Sequence, residues 1–246
     1  MRTQLGIVGL VLTLLAGCDP VQAGGEPSGP GPSTAPPAGR TTAAAPTGHP
    51  TAAPASSPAK TYQSDVQAAL RTVAQYWQDE FAKHGRDFAA VRTFTPYRGA
   101  GGPRCGDEQV PAKNAAYCSG PDYIAYDDEW LREEWSSMGD AFVYYVIGHE
   151  YGHAIQQRLG LTAPLTIKSE LQADCFAGAY LGGSIADGRL DLDEGDLREL
   201  FDAVGSVADQ PGVRWFATGA HGSAKQRQIA FFGGYFGTVR SCTTGL

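Results

Sequence analysis

The stretch VIGHEYGHAIQ, residues 146–156, holds two of the chain's five histidines four positions apart, with a glutamate directly after the first. Side chains four apart on an α-helix share a face, so His149 and His153 can turn toward one metal ion. Glu150 lies about 100° around such a helix from His149. That is badly placed for a ligand but well placed to take a proton from a nearby water. This is the H-E-x-x-H pattern: two imidazoles for zinc and a carboxylate for proton transfer. Gly148 and Gly152 let another segment or a substrate come close, although each costs a helix about 1 kcal/mol relative to alanine.

A catalytic zinc commonly has three protein ligands and one open position. The candidate third ligand lies in SELQADCFAGAY, residues 169–180, where Glu170 and Asp174 are again four apart. Leu171, Ala173, Phe176 and Ala177 mark this helix as buried, and two unpartnered carboxylates there would be costly. Zinc would satisfy Glu170. The second N–H of a ligand histidine would satisfy Asp174 and fix the ring's tautomer. Further on, HGSAKQRQIAFF, residues 221–232, supplies His221 and Arg227. His221 is the candidate donor to a developing oxyanion, with Tyr144 or Tyr145 as substitutes. Arg227 is the candidate partner of a buried carboxylate.

These residues need helices to hold them. Apolar residues at 66, 70, 73, 77 and 81 predict a helix over 64–85, started by Ser64 or Asp65 and stopped by Gly85. A helix over 139–160, capped by Asp140 and ended by Gly160, carries the paired histidines. Further helices are expected over 167–186, over 193–208 and from Ser223, where Ser223 and Gln226 have capping-box spacing. DYIAYDD, residues 122–128, reads as a short strand, and 92–121 as loops. The expected fold is mainly α (α+β), with a small β-sheet.

The chain opens MRTQLGIVGLVLTLLAGC. Its apolar run, Leu5 to Leu15, is too short to span a bilayer and reads as a signal peptide over 1–17. The run ends Leu15-Ala16-Gly17-Cys18, which resembles a bacterial lipobox with Cys18 as the lipidated residue. Residues 18–60 are rich in Pro, Ala, Gly, Ser and Thr and contain no aromatic residue, so they read as a disordered tether. A flexible tether of that length spans roughly 35–40 Å. Residues 61–246 are long enough for one sizeable core. They carry 16 basic and 24 acidic side chains, a net −8, which argues against nucleic acid and against an electrostatic hold on anionic lipid. Contact with a membrane is expected through the lipid anchor only. Cys105, Cys118, Cys175 and Cys242 allow three disulfide pairings. Cys105–Cys118 with Cys175–Cys242 is favoured by the short separation of the first pair.

The segments YVIGHEYGHAIQ, ELQADCFAG and HGSAKQRQIAFFGGYFG together resemble the bacterial neutral zinc metallopeptidases, in order and over about 60–246. AYCSGPDYIAYDDEW, residues 116–130, resembles that family's edge-strand region. The arrangement is similar to the gluzincins, zincins in which a glutamate from a second helix completes the zinc shell. The resemblance implies one Zn2+ held by His149, His153 and Glu170, Glu150 as general base, and a peptide or protein substrate. Ala154 departs from the family's pattern, where a second histidine is more usual, but it lies outside the metal's reach. The strand near 123–126 is the candidate to pair with an extended peptide. Hydrolysis of peptide bonds on the outer face of the cell membrane is the first expectation. A peptidoglycan-stem amidase and a zinc-stabilised binding protein without turnover are the alternatives.

Overall fold

The computed structural model describes residues 60–243 apart from 162, 164, 165 and 215. The expected signal peptide over 1–17, the expected lipidated Cys18 and the expected tether up to residue 59 fall outside the described residues. Lys60 is described, and its Nζ pairs with Asp140 at 2.9 Å and Asp193 at 2.6 Å.

Six helices carry most of the described chain: α1 (Tyr62–Lys83), α2 (Asp128–Met138), α3 (Ala141–Leu159), α4 (Thr166–Ala186), α5 (Asp196–Ser206) and α6 (Ala224–Tyr235). The mainly helical expectation therefore holds. Helix α1 starts earlier than the sequence suggests. Thr61, not Ser64 or Asp65, is its cap, and Thr61 and Ser64 form a reciprocal capping box. Asp65 is buried instead and accepts the Trp135 indole N–H at 2.9 Å. Asp140 stands at the start of α3 but makes no side-chain cap bond, because its backbone is already helical (φ −69°, ψ −26°) rather than extended, and one of its oxygens pairs with Lys60. Gly160 ends α3 in the left-handed region, as expected, and Ser223 with Gln226 caps α6.

Two regions differ from the sequence reading. Helix α2 is absent from that reading, although Asp127 caps it by accepting from the Glu129 N–H. The span read as loops holds strands: β1 (Thr93–Tyr97), a small hairpin of β2 (Arg104–Cys105) and β3 (Glu108–Gln109), and β4 (Ala115–Cys118). With β5 (Tyr123–Asp127), β1 and β4 make a three-stranded sheet of order β1-β5-β4, parallel on one side and antiparallel on the other. Pro96 sits in β1, an outer strand, where a missing N–H is tolerated. The expectation that residues 123–126 offer an open edge is corrected: β5 is the middle strand, paired on both sides, and β4 is the edge beside α3.

Helix α3 is the axis of the core, touching α1, α2, α4, α5 and β4. Fourteen of its residues are buried, on every face, so its hydrophobic pattern is continuous rather than a stripe. Trp77 of α1 meets Phe176 of α4 edge to face, and Tyr145 of α3 meets Phe231 of α6 in the same way. Both expected disulfides are present. Cys105–Cys118 joins the hairpin to β4, and Cys175–Cys242 joins α4 to the short 3-10 turn after α6.

Candidate metal centre

Helices α3 and α4 pack closely enough to bring their polar side chains together. A Cβ built on Gly152 would stand 2.8 Å from the Ala173 carbonyl oxygen and 3.0 Å from its Cα, so only glycine permits this approach. Gly148 faces the Tyr180 ring and the Ala177 side chain of α4, which a Cβ built on it would approach to 3.0–3.4 Å. What the small residues admit is the second helix, not a substrate.

At that contact His149, His153 and Glu170 converge, with one donor atom of each within 4.8 Å of the others. His149 Nε2 lies 3.3 Å from Glu170 Oε2, and His153 Nε2 lies 3.4 Å from Glu170 Oε1. Two N or O donors about 2.1 Å from a tetrahedral zinc stand about 3.4 Å apart, so the spacing suits one such ion. The donor set, two imidazoles and a carboxylate, is also one that zinc accepts. Among the described residues one other acidic group, Asp140, Asp196 and Glu199, clusters similarly, but Lys60 pairs with Asp140 there.

Asp174 lies directly behind His149. Its Oδ1 takes His149 Nδ1 at 2.8 Å and the Tyr145 hydroxyl at 2.8 Å. Arg227 of α6 donates to both carboxylate oxygens, from Nε at 2.8 Å and Nη2 at 2.9 Å. Its Nη1 donates to the Val207 carbonyl at 2.8 Å, tying in the chain after α5. Burial opposes charge on Asp174, but Arg227 and His149 hold its carboxyl below the usual carboxylate range. Burial likewise works against a charged His149, yet Asp174 and Glu170 push its pKa up to about 10. Glu170 is buried too, and the hydrogen bond and charge of His149, with His153 and His221 beyond, pull it down to about 2.

Glu150 points to the opposite wall. Its Oε2 accepts the backbone N–H of Tyr117 in β4 at 2.8 Å. Helix and edge strand thus bound a cleft of about 930 Å³, into which His149, His153, Glu150, Glu170 and His221 all open. Ala115, Ala116 and Tyr117 of β4 line it on the strand side, and Trp130, Val146 and Val207 add apolar lining.

The sequence also named His221 and a tyrosine. His221 lines the cleft and is fixed by Asp209, which accepts its backbone N–H at 2.9 Å and faces its Nδ1 at 3.3 Å. Tyr145 is fully buried with its hydroxyl given to Asp174, and Tyr144 does not line the cleft. Three site residues escape the sequence reading: Asp209, Tyr117 through its backbone, and Gln156, whose Oε1 faces His153 Nδ1 at 3.0 Å. Gln156 carried a readable signal, since residues three apart on a helix are neighbours.

Three side chains that could hold one metal ion thus stand between two helices and beside an edge strand. Residues 3–245 match the family model described as "Putative neutral zinc metallopeptidase", and the chain belongs to that family. It is similar to the uncharacterized protein YpfJ of Escherichia coli strain K12, at 29% identity over 205 residues, 71% of this chain and 68% of that one. It is also similar to the uncharacterized proteins Mb2605 of Mycobacterium bovis and Rv2575 of Mycobacterium tuberculosis, each at 30% identity over 203 residues, 70% of this chain and 67% of theirs. No solved structure matches the chain.

Proposed function

We propose that this protein is a zinc-dependent peptidase that hydrolyses peptide bonds in the cleft between α3 and β4. The observation that carries the reading is the convergence of His149, His153 and Glu170 on one point, with Glu150 of the same helix α3 opening to that cleft and reaching toward β4. His149, His153 and Glu170 would hold the ion. When bound, zinc supplies a Lewis acid that polarises the scissile carbonyl and lowers the pKa of a water toward about 7.

The chain's own residues do the rest. Glu150, steadied at Oε2 by the Tyr117 N–H, takes the proton of the attacking water and returns it to the leaving amine. With hydrogens on both ring nitrogens, His221 gives Nδ1–H to Asp209 and turns Nε2–H to the oxygen that gains charge. Tyr145 and Arg227 do not reach for substrate, because Asp174 takes both. Strand β4, as the sheet edge lining the cleft, offers backbone groups to an extended peptide.

We further propose, from the lipobox-like Leu15-Ala16-Gly17-Cys18, that the protein works on the outer face of the cell membrane, held by lipid on Cys18. Two disulfides within the domain suit an oxidising compartment. Labelling cells with a radioactive fatty acid tests this: wild-type protein should take up label and Cys18→Ser should not.

The activity is tested by metal analysis of the purified protein and by assays on casein and on muropeptides, before and after chelation. One zinc per chain, with casein cleavage that stops on chelation and returns with zinc, is expected. Cleavage of muropeptides alone would make it a peptidoglycan-stem amidase, and bound zinc without either activity would make it a binding protein.

A further inference from the structure

His149 and His153 carry the same side chain but are held by different chemistry. Behind His149 stands the carboxylate of Asp174. Behind His153 stands a neutral amide, Gln156, which is buried one turn further along the same helix. Gln156 has only one orientation that satisfies its surroundings. Its Nε2 donates to the Ser169 carbonyl at 2.6 Å and to Gln172 Oε1 at 3.2 Å, so the amide nitrogen must face α4. Its Oε1 then accepts from the Ser169 hydroxyl at 3.0 Å and faces His153 Nδ1 at 3.0 Å. An amide oxygen only accepts, so Nδ1 must carry the hydrogen. The lone pair of His153 is thereby left on Nε2, the atom 3.4 Å from Glu170.

We infer that Gln156 is a positioning residue for the metal centre: it sets the tautomer of His153 and, through Ser169, holds the adjoining Glu170 in register with it. Ser169 immediately precedes Glu170, and Gln156 grips both its carbonyl and its hydroxyl. One side chain therefore fixes the second imidazole of α3 and the start of the α4 turn that carries the third ligand. A neutral partner suits this task, because it orients His153 without adding a further buried negative charge to those of Asp174 and Glu170.

The inference rests on the zinc reading above, and the test separates the two. Zinc affinity is measured by competition with a chromogenic chelator, and the His153 ring nitrogens are observed by 15N NMR in the zinc-loaded protein. The variants are Gln156→Met, which keeps the volume but neither polar atom, and Gln156→Glu, which keeps an acceptor. Wild type should show a protonated, hydrogen-bonded Nδ1 on His153. Gln156→Met should bind zinc about 10–100-fold more weakly and lose the protected Nδ1–H signal. Gln156→Glu should keep that signal and bind more tightly than Gln156→Met. Wild-type affinity in Gln156→Met, or a His153 that binds through Nδ1 in the wild type, overturns the inference and leaves the zinc reading standing. Should Gln156→Met fail to fold, the wild-type tautomer decides: zinc on Nε2 with Nδ1 protonated supports the inference, and zinc on Nδ1 overturns it. A wild type that binds no zinc overturns both.

Discussion

Asp174 and Arg227 form an ion pair sealed from solvent, with Nε 2.8 Å from Oδ2 and the two side chains 0% and 2% exposed. The pair links α4 to α6, while the other face of the same carboxylate holds His149. Removing one member strands a charge. Arg227→Met should therefore lower unfolding stability by about 3–5 kcal/mol, because Asp174 loses its main compensation. That is a large part of the roughly 5–15 kcal/mol typical of a domain. Urea titration of the two proteins measures it, and a loss below about 1 kcal/mol would mean that His149 and Tyr145 suffice to hold the carboxylate.

Glu150→Gln separates binding from turnover. The amide is the same size, and Glu150 is not among the three converging donors. Zinc content should remain one per chain. Peptide cleavage should fall by about 10²–10⁴-fold, the usual worth of a positioned acid or base. Because the amide oxygen introduced at this position can still accept the Tyr117 N–H, a change in β4 would not explain the loss. A rate equal to wild type would take Glu150 out of the reaction.

How far these residues can be read from the sequence depends on what holds each one. His149, His153, Glu170 and Asp174 follow helical spacing, and local periodicity is what a sequence displays most openly. Arg227 is legible because a buried carboxylate requires a partner. Strand β4 is not. It has only four residues, Ala-Ala-Tyr-Cys, its burial does not alternate, and its contribution to the site is a backbone N–H that any residue type but proline would carry. Asp209 escapes for a related reason: it sits in an irregular segment that folds back so that its carboxylate takes the N–H groups of His221 and Gly222. The mistaken edge at residues 123–126 has the same origin, since strand order is set by β1 and β4 pairing over distance, not by the alternation within β5.

Zinc binding should release a proton. Asp174 and Glu170 outweigh burial and raise the His149 pKa to about 10, so that ring holds its proton at neutral pH and gives it up only as pH rises toward that value. Only a neutral imidazole binds a cation. Apparent zinc affinity should thus climb about tenfold per pH unit between about pH 7 and 9, with roughly one proton released from His149. In the zinc-free protein the same shift has the opposite consequence. Its contribution to folding is full below the ordinary histidine value of 6.5 and is lost as pH rises through about 10. Calorimetry at about pH 7 in buffers of different ionisation enthalpy counts the protons. A count of zero would show that His149 is already neutral before the ion arrives.

Two glycines in the helices behind the site should respond in opposite ways to the same substitution. Gly178 of α4 lies against α6, where an added Cβ would stand 1.9 Å from the Phe231 carbonyl oxygen and 2.8 Å from the Tyr235 nitrogen. Those atoms are backbone and cannot rotate aside, so Gly178→Ala must push the two helices apart. Since α4 carries Glu170 and Asp174 while α6 carries Arg227, that shift would open the ion pair as well as the core. Gly233 of α6 is exposed, and nothing lies within 4 Å of a Cβ built there. Gly233→Ala should raise stability by about 0.5–1 kcal/mol, since alanine loses less chain entropy in a helix. Gly178→Ala should cost several times that and weaken zinc binding with it. Thermal melts with and without zinc distinguish the pair. Equal melting temperatures for the two variants would mean that α4 and α6 can separate at the glycine contact without cost, and that the metal centre does not depend on their close approach.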